Sequence, residues 1–125
     1  MAYDSENIFA KILRGEIPNQ TVYEDDGILA FHDIAPKTPV HVLVIPKGAY
    51  VDMDDFTANA PAEVISDFFR KSGQIARDLG VVEGGYRIVT NNGENAGQIV
   101  PHFHIHIMGG QRIEEGSMAK GMPEA

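Results

Sequence analysis

One stretch of ten residues constrains the fold of this chain more than any other: residues 101–110 read PHFHIHIMGG. Successive side chains of a β-strand point to opposite faces, whereas a helix would scatter them around its axis. Two sets of side chains alternate here, Phe103, Ile105 and Ile107 with His102, His104 and His106. The alternation predicts a strand with one apolar face on the core and one face of imidazoles.

Three imidazoles in register can reflect structural histidines, a metal site or nucleophilic catalysis at phosphorus. A metal could bind to His102 with His104, or to His104 with His106. The outer two Cα atoms lie roughly 13 Å apart on a strand, so one tetrahedral zinc ion cannot bind both. Nucleophilic catalysis would use all three rings, with the central one attacking and its neighbours moving protons.

The stretch resembles the signature of the histidine triad (HIT) superfamily, His-φ-His-φ-His-φ-φ with φ apolar. Further segments resemble the Hint branch of that superfamily, in the expected order: residues 8–12, 31–34, 39–47, 97–98 and 109–110. The resemblance covers residues 7–110. It implies an α+β fold with a five-stranded antiparallel sheet and two helices. We therefore expect a single HIT domain over residues 1–110 and a partly flexible tail over residues 111–125.

The resemblance also implies catalytic roles. His104 would attack the α-phosphorus of a bound nucleotide. His102 and His41 would hold the tautomer of His104 whose attacking nitrogen is unprotonated, although His41 alone could equally be a histidine at a strand end. His106 and backbone N–H groups near Gln98 would stabilise the phosphoryl oxygens.

Asp33 would accept the ribose hydroxyls, because a carboxylate offers only acceptors. From sequence alone, Asp33 could instead cap the turn of the Pro-rich loop that follows it. The glycines and asparagines of residues 91–98 allow backbone N–H groups to converge on a phosphate. The other expected nucleotide contacts are Ile8, Phe9, Ile12, Phe31, His32, Ile34, Asn91, Gly97, Gln98 and Ile99.

The implied reaction is hydrolysis of purine nucleoside 5′-phosphoramidates and related AMP derivatives through a covalent nucleotidyl-histidine intermediate. It needs neither a cofactor nor a metal. The alternatives are a dinucleoside polyphosphate hydrolase, a nucleotide-binding regulatory or scaffold protein and, third, a metal-dependent hydrolase. Three departures from the usual Hint pattern bear on the leaving group: Ile99 stands where serine is common, Pro101 precedes the triad, and the tail has no tryptophan.

The composition limits the partners. The chain has 125 residues, a formal net charge of −8 and no cysteine. That charge argues against non-specific binding to nucleic acid or to an anionic membrane. The partner that the family resemblance implies is an AMP- or GMP-type purine nucleotide. No signal-peptide pattern begins the sequence, and we expect a cytoplasmic protein. The resemblance further implies a homodimer joined through the strand near residues 86–91 and the long helix.

Hydrophobic periodicity predicts the remaining elements. Residues 21–24 and 28–32 read as a hairpin, and residues 41–46 as a central strand. A short helix begins after Ser5 or Asn7 and stops near Gly15. After an Asp-rich loop, a long helix begins around residues 59–61, ends at Gly80 and covers the apolar face of the histidine strand.

Overall fold

In the computed structural model, which describes residues 2–114, five antiparallel strands form one sheet in the order β1-β2-β3-β5-β4. The strands are β1 (Thr21–Glu24), β2 (Ile28–His32), β3 (Val40–Pro46), β4 (Tyr86–Val89) and β5 (Ile105–Gly109). The helices are α1 (Ile8–Leu13), α2 (Met53–Asn59) and α3 (Ala62–Asp78). The α+β class and the five-stranded antiparallel sheet are confirmed. Most of the predicted flexible tail, residues 115–125, lies outside the described residues.

The Asp-rich segment forms a helix of its own, so the expected number of two helices was too low. The Asp52 carboxylate accepts the N–H of Asp55 at 2.8 Å and caps α2, which carries the fully buried Phe56 into the core. Asn59, at the expected start of the long helix, is instead the last residue of α2. The carboxylates of this segment are capping and first-turn residues rather than loop residues.

The long helix α3 packs where the sequence predicted, on the apolar face of the histidine strand. Phe68 and Ile75 of α3 belong to the same buried cluster as Phe103 and Ile105. Phe103 also stacks on Phe56 of α2, with ring centroids 4.6 Å apart. Burying each of these side chains contributes roughly 1.5–3 kcal/mol, so this layer fixes one face of the sheet.

The short helix α1 covers the opposite face, which is the face of the histidines. The Asn7 side chain accepts the N–H of Ala10 at 2.9 Å and so caps the helix. Phe9 and Ile12 then pack in a second buried cluster of the sheet, with Leu29, Phe31, Leu43 and Ile45. Phe9 of this helix lies against the rings of His102 and His104.

The pairing between β3 and β5 sets the relative positions of the site histidines. Leu43 lies opposite His106, and His41 lies opposite Met108. The ladder begins only at Ile105, so residues 101–104 are not paired as strand residues, although the sequence predicts a strand from residue 101. Within the described residues, no helix combines the length and the hydrophobicity that crossing a bilayer requires.

Candidate active site

The four site histidines are almost inaccessible to solvent. His102 and His106 are 0% exposed, and His41 and His104 are 2% exposed. Phe9 of α1 meets the His104 ring edge-on, with centroids 4.8 Å apart. Because a buried imidazole must satisfy two ring nitrogens without water, the neighbours of each ring determine its tautomer.

His104 is held in the form that a nucleophile requires. Its Nδ1 atom lies 2.7 Å from the carbonyl oxygen of His102. A carbonyl can only accept, so Nδ1 carries the proton of the neutral ring and Nε2 carries the lone pair. The bond therefore prepares Nε2 for attack on an electrophile.

His106 is held in the opposite form through His41. The backbone N–H of Lys37 donates to Nδ1 of His41 at 2.9 Å, which places the His41 proton on Nε2. That Nε2–H donates to Nδ1 of His106 at 2.9 Å, so the His106 proton lies on Nε2. His104 thus offers a lone pair, and His106, the next histidine along the chain, offers a proton.

The expected partner of His41 was therefore wrong. The sequence resemblance assigned His41 to the central histidine, whereas the structure pairs it with His106. The reason is the register: His41 lies two residue pairs beyond the Leu43–His106 pair, so His41 and His106 are diagonal neighbours on the same face of the sheet. For His102, it is the backbone carbonyl rather than the ring that sets the tautomer of His104.

The ring of His102 is bonded at both nitrogens. Nε2–H donates to the Pro46 carbonyl at 2.8 Å, and Nδ1 accepts the Tyr3 hydroxyl at 2.6 Å. Burial lowers the pKa of His102, the bond to Pro46 opposes this effect and the neighbouring His104 adds to it, so that the pKa is about 4. The contact of Tyr3 with His102 could not be predicted from the sequence, because nothing in residues 1–6 indicates a contact with a residue 99 positions away.

His41 also remains neutral near pH 7. Burial lowers its pKa and outweighs the opposing effect of the Asp33 carboxylate, while Lys37 lowers it slightly more. The Asp33 Oδ2 atom lies 3.4 Å from Nε2 of His41. The other carboxylate oxygen of Asp33, Oδ1, accepts the N–H of Ala35 at 2.7 Å. Asp33 therefore caps the turn and also faces the histidines.

A cavity of about 670 Å³ opens beside this pair, a volume suited to a small ligand. Four of the predicted site residues line it: His32, Asp33, Ile34 and His41. Five other lining residues were not predicted from the sequence: Pro18, Asn19, Gln20, Pro36 and Pro39. The β1–β2 register pairs Thr21 with Phe31, which puts the residues before one strand beside those after the other. The predicted hairpin was therefore sufficient to indicate that the residues before β1 lie beside those after β2.

The apolar residues expected around a purine fall into two groups. Phe9, Phe31 and Ile12 are 4–9% exposed and belong to the core. Ile8 is 53% exposed and Ile34 is fully exposed. Only the second group presents much surface to a ligand in this conformation.

The glycine-rich loop differs from the expected phosphate cradle. Gly93 and Gly97 have φ of +83° and +80°, a conformation that favours glycine. However, the N–H of Gly97 donates to the Glu94 carbonyl at 3.0 Å, and the N–H of Gln98 donates to the Gly93 carbonyl at 3.1 Å. In this conformation both groups point into the turn and not toward a phosphate.

Gln98 braces the same loop with its side chain. Its Oε1 accepts the N–H of Gly93 at 2.8 Å, and its Nε2 donates to the carbonyls of Val51 and Val100. Gly97, Gln98 and the 63%-exposed Ile99 line a second cavity of about 320 Å³. Asn91 lies just before this loop and does not line either cavity.

Three side chains come close enough to share a metal ion, namely Asp33, His41 and His106, whose ligand atoms lie within 4.8 Å of one another. These are not the adjacent strand histidines that the sequence offered for a metal. Binding at Nε2 of His41 would require that nitrogen to lose its proton. The proton cannot move to Nδ1 without breaking the bond from Lys37, so the donor set fits proton transfer better than metal binding.

The fold and the site define an α+β protein whose candidate centre consists of four buried imidazoles, three of them on one strand and its lead-in segment. The chain belongs to the HIT domain family, whose family model matches residues 14–113. The sequence-based recognition of this family is confirmed.

Similar proteins and solved structures support the assignment to the HIT domain family. An uncharacterised 13.2 kDa HIT-like protein of Azospirillum brasilense is 58% identical over 111 residues, covering 89% of this chain and 91% of that protein. The purine nucleoside phosphoramidase of Escherichia coli K12 is 37% identical, covering 94% and 98%. The structure of a HIT family hydrolase from Clostridium thermocellum superposes with a TM-score of 0.81 at 38% identity, covering 89% and 96%. The comparisons support a hydrolase-type enzyme.

Proposed function

We propose that this protein hydrolyses purine nucleoside 5′-phosphoramidates and related AMP derivatives by transferring the nucleotidyl group to His104. The observation that carries the proposal is the pair of complementary tautomers, a lone pair on Nε2 of His104 beside a proton on Nε2 of His106. A nucleophile and a hydrogen-bond donor for phosphoryl oxygens are the two groups that substitution at phosphorus needs.

In the first step, Nε2 of His104 forms a bond to the α-phosphorus while the bond from phosphorus to the amine nitrogen breaks. The amine takes up one proton from solvent as it leaves. The Nε2–H of His106 donates to a phosphoryl oxygen, and His41 supports that orientation from the other side of the ring. In the second step, water attacks phosphorus and releases one proton to solvent, the bond to His104 breaks with its electron pair returning to Nε2, and AMP is released.

The cavity beside Asp33 is the proposed nucleoside site. Its volume suits a nucleoside, and the Asp33 carboxylate and the exposed Ile34 supply an acceptor and an apolar surface. The second cavity, lined by Gly97, Gln98 and Ile99, is the proposed site for the phosphate and the leaving group. Contact between a phosphate and the loop N–H groups requires Gly97 or Gln98 to turn outward on binding.

Turnover of a substrate panel tests the proposal. Adenosine 5′-phosphoramidate should be hydrolysed with multiple turnovers, and excess chelator should not change kcat. Preferred hydrolysis of diadenosine tetraphosphate would favour a dinucleoside polyphosphate hydrolase instead. Tight AMP binding without turnover of any substrate would favour a nucleotide-binding regulatory protein. Loss of activity in chelator, restored by a divalent cation, would favour the metal-dependent hydrolase.

A further inference from the structure

The segment before and into α1 places two aromatic rings, Tyr3 and Phe9, against the first two histidines of the triad. The Tyr3 ring meets His102 edge-on, with centroids 5.6 Å apart, and Phe9 meets His104 in the same manner at 4.8 Å. Only Tyr3 adds a polar contact, since its hydroxyl lies 2.6 Å from Nδ1 of His102. The N-terminal segment is thus part of the wall around the histidines.

Local hydrogen bonds hold this segment in place. The Asp4 carbonyl accepts both the backbone N–H of Asn7 at 3.2 Å and its side-chain amide at 2.8 Å. The Asp4 carboxylate accepts the N–H of Glu6 at 2.9 Å. Asn7 also caps α1, so the turn that carries Tyr3 is continuous with the helix. These bonds hold the backbone next to Tyr3 in place, and the Tyr3 side chain contacts His102 from this position.

The backbone of His102 lies before the paired strand, where the adjacent N–H of Phe103 donates to the Tyr50 carbonyl at 2.7 Å. The paired strand begins at Ile105, so the carbonyl of His102 belongs to a segment outside the ladder. That carbonyl accepts the Nδ1–H of His104 and thereby sets its tautomer. The ring of the same residue is anchored at Nε2 by Pro46 and at Nδ1 by Tyr3.

We propose that Tyr3 is a positioning residue whose hydroxyl anchors the His102 ring and so keeps the His102 carbonyl where it holds the His104 proton on Nδ1. Pro46 holds the ring at Nε2, and the N–H of Phe103, which belongs to the same peptide unit as the His102 carbonyl, donates to the Tyr50 carbonyl at 2.7 Å. With the Tyr3 bond in place the ring is held at two points, and the carbonyl is fixed with it. The effect on the tautomer rests on these hydrogen bonds alone, whereas its catalytic consequence rests on the proposed function.

Tyr3→Phe tests this, because it keeps the ring and removes only the hydroxyl. Tyr23→Phe is the matched control: it removes a phenolic hydroxyl that donates to Asp25 at 2.7 Å on the exposed strand β1. Long-range ¹H–¹⁵N correlation spectra report which ring nitrogen of His104 carries the proton. In the wild type and the control, Nδ1 should be protonated and Nε2 unprotonated. In Tyr3→Phe both nitrogens should shift toward intermediate values.

The catalytic effect is measured by comparing kcat for the substrate with the Kd of AMP. In Tyr3→Phe, kcat for adenosine 5′-phosphoramidate should fall roughly threefold to tenfold, the effect of one neutral hydrogen bond on a tautomer equilibrium. The Kd of AMP should not change, since Tyr3 does not line the nucleoside cavity. The loss should persist at alkaline pH, because the ratio of two neutral tautomers does not depend on pH.

Unchanged His104 nitrogen shifts in Tyr3→Phe would overturn the proposal. A shift of the tautomer with an unchanged kcat would overturn its catalytic consequence. Recovery of kcat at alkaline pH would also overturn it, since the variant would then have altered a pKa rather than a tautomer. If the wild type shows no turnover, the proposed function fails, and the nitrogen shifts still decide the role of Tyr3.

Discussion

At the residue scale, backbone groups that can play only one hydrogen-bonding role determine the chemistry of the imidazoles. Carbonyls of Pro46 and His102 fix the protons of His102 and His104, and the N–H of Lys37 fixes the proton of His41. Because a carbonyl cannot donate and an N–H cannot accept, these assignments do not depend on pH while the rings stay neutral. The sequence supplied the histidines, but their partners come from distant segments and could not be predicted from local patterns.

Ile99 provides a test of the leaving-group site at this scale. A serine there would offer a hydroxyl to the bridging atom of the leaving group, a bond worth about 0.5–1.5 kcal/mol, or roughly threefold to tenfold in rate if it forms only in the transition state. We therefore expect Ile99→Ser to raise kcat/KM for simple phosphoramidates and to leave the Kd of AMP unchanged. Steady-state kinetics and calorimetry on both proteins measure this. Unchanged turnover would mean that another residue already fills the role.

Buried neutral histidines also make stability depend on pH. The pKa of His102 is about 4 in the folded state and near 6.5 when unfolded, so below pH 6.5 the unfolded chain binds more protons and stability falls. By pH 4 this one residue removes about 3 kcal/mol. His102→Gln keeps a donor and an acceptor but cannot titrate. Urea unfolding from pH 7 to pH 4 should show a steeper loss for the wild type, and parallel curves for the two proteins would refute the account.

At the element scale, the hairpin β1–β2 and the long helix α3 are joined by one carboxylate. Asp25 accepts the N–H groups of Gly27 and Ile28 in the turn and the ammonium group of Lys71 from α3. Burial raises the pKa of Asp25, but the bonds from Lys71, Gly27 and Tyr23 outweigh it and hold the pKa well below its usual range. The turn was predictable from its Asp-Asp-Gly sequence; the link to α3 was not.

Asp25→Ala tests this link, with the exposed neighbour Asp26→Ala as its matched control. We expect Asp25→Ala to lower the free energy of unfolding at pH 7 by about 1–3 kcal/mol, and the control to change it by less than about 0.5 kcal/mol. Since the folded pKa of Asp25 is depressed, the difference should diminish as the pH falls below about 4, where the unfolded carboxyl protonates. Equal effects of the two substitutions would contradict the assigned role.

The elements also show what a local pattern can and cannot predict. Alternation identified the two faces around Ile105, and the hairpin bounds of residues 21–24 and 28–32 matched the structure. Helix α2 was missed because Phe56 is its only buried residue, which leaves no periodicity to detect. For the loop near Gly97, the predicted backbone conformation was correct, whereas the predicted direction of the N–H groups was wrong. That direction depends on the folded turn.

At the scale of the whole molecule, β4 forms one edge of the sheet and leaves apolar side chains exposed. Tyr86 and Ile88 on β4 are 38% and 45% exposed, and Phe69 on α3 is 40% exposed. An uncovered edge strand of this kind favours pairing with another chain. The homodimer expected from the family resemblance remains a prediction, as does the cytoplasmic location.

Ile88→Lys tests the dimer. The wild type should sediment as a dimer at micromolar concentration, and a lysine on the edge strand should shift it to monomer. Thr21→Lys places the same charge on β1 at the opposite edge and should leave the dimer intact. Sedimentation of the wild type as a monomer would remove the basis for a homodimer.

The central claim is that Nε2 of His104 attacks phosphorus, and it is tested most directly by mass spectrometry of the protein quenched in acid-free conditions during turnover of adenosine 5′-phosphoramidate. We expect a mass increase of one adenylyl group that maps to His104. It should be absent in His104→Gln and present in His32→Gln, where a histidine lining the nucleoside cavity is replaced. Active turnover with no adduct, or an adduct on His102 or His106, would contradict the account.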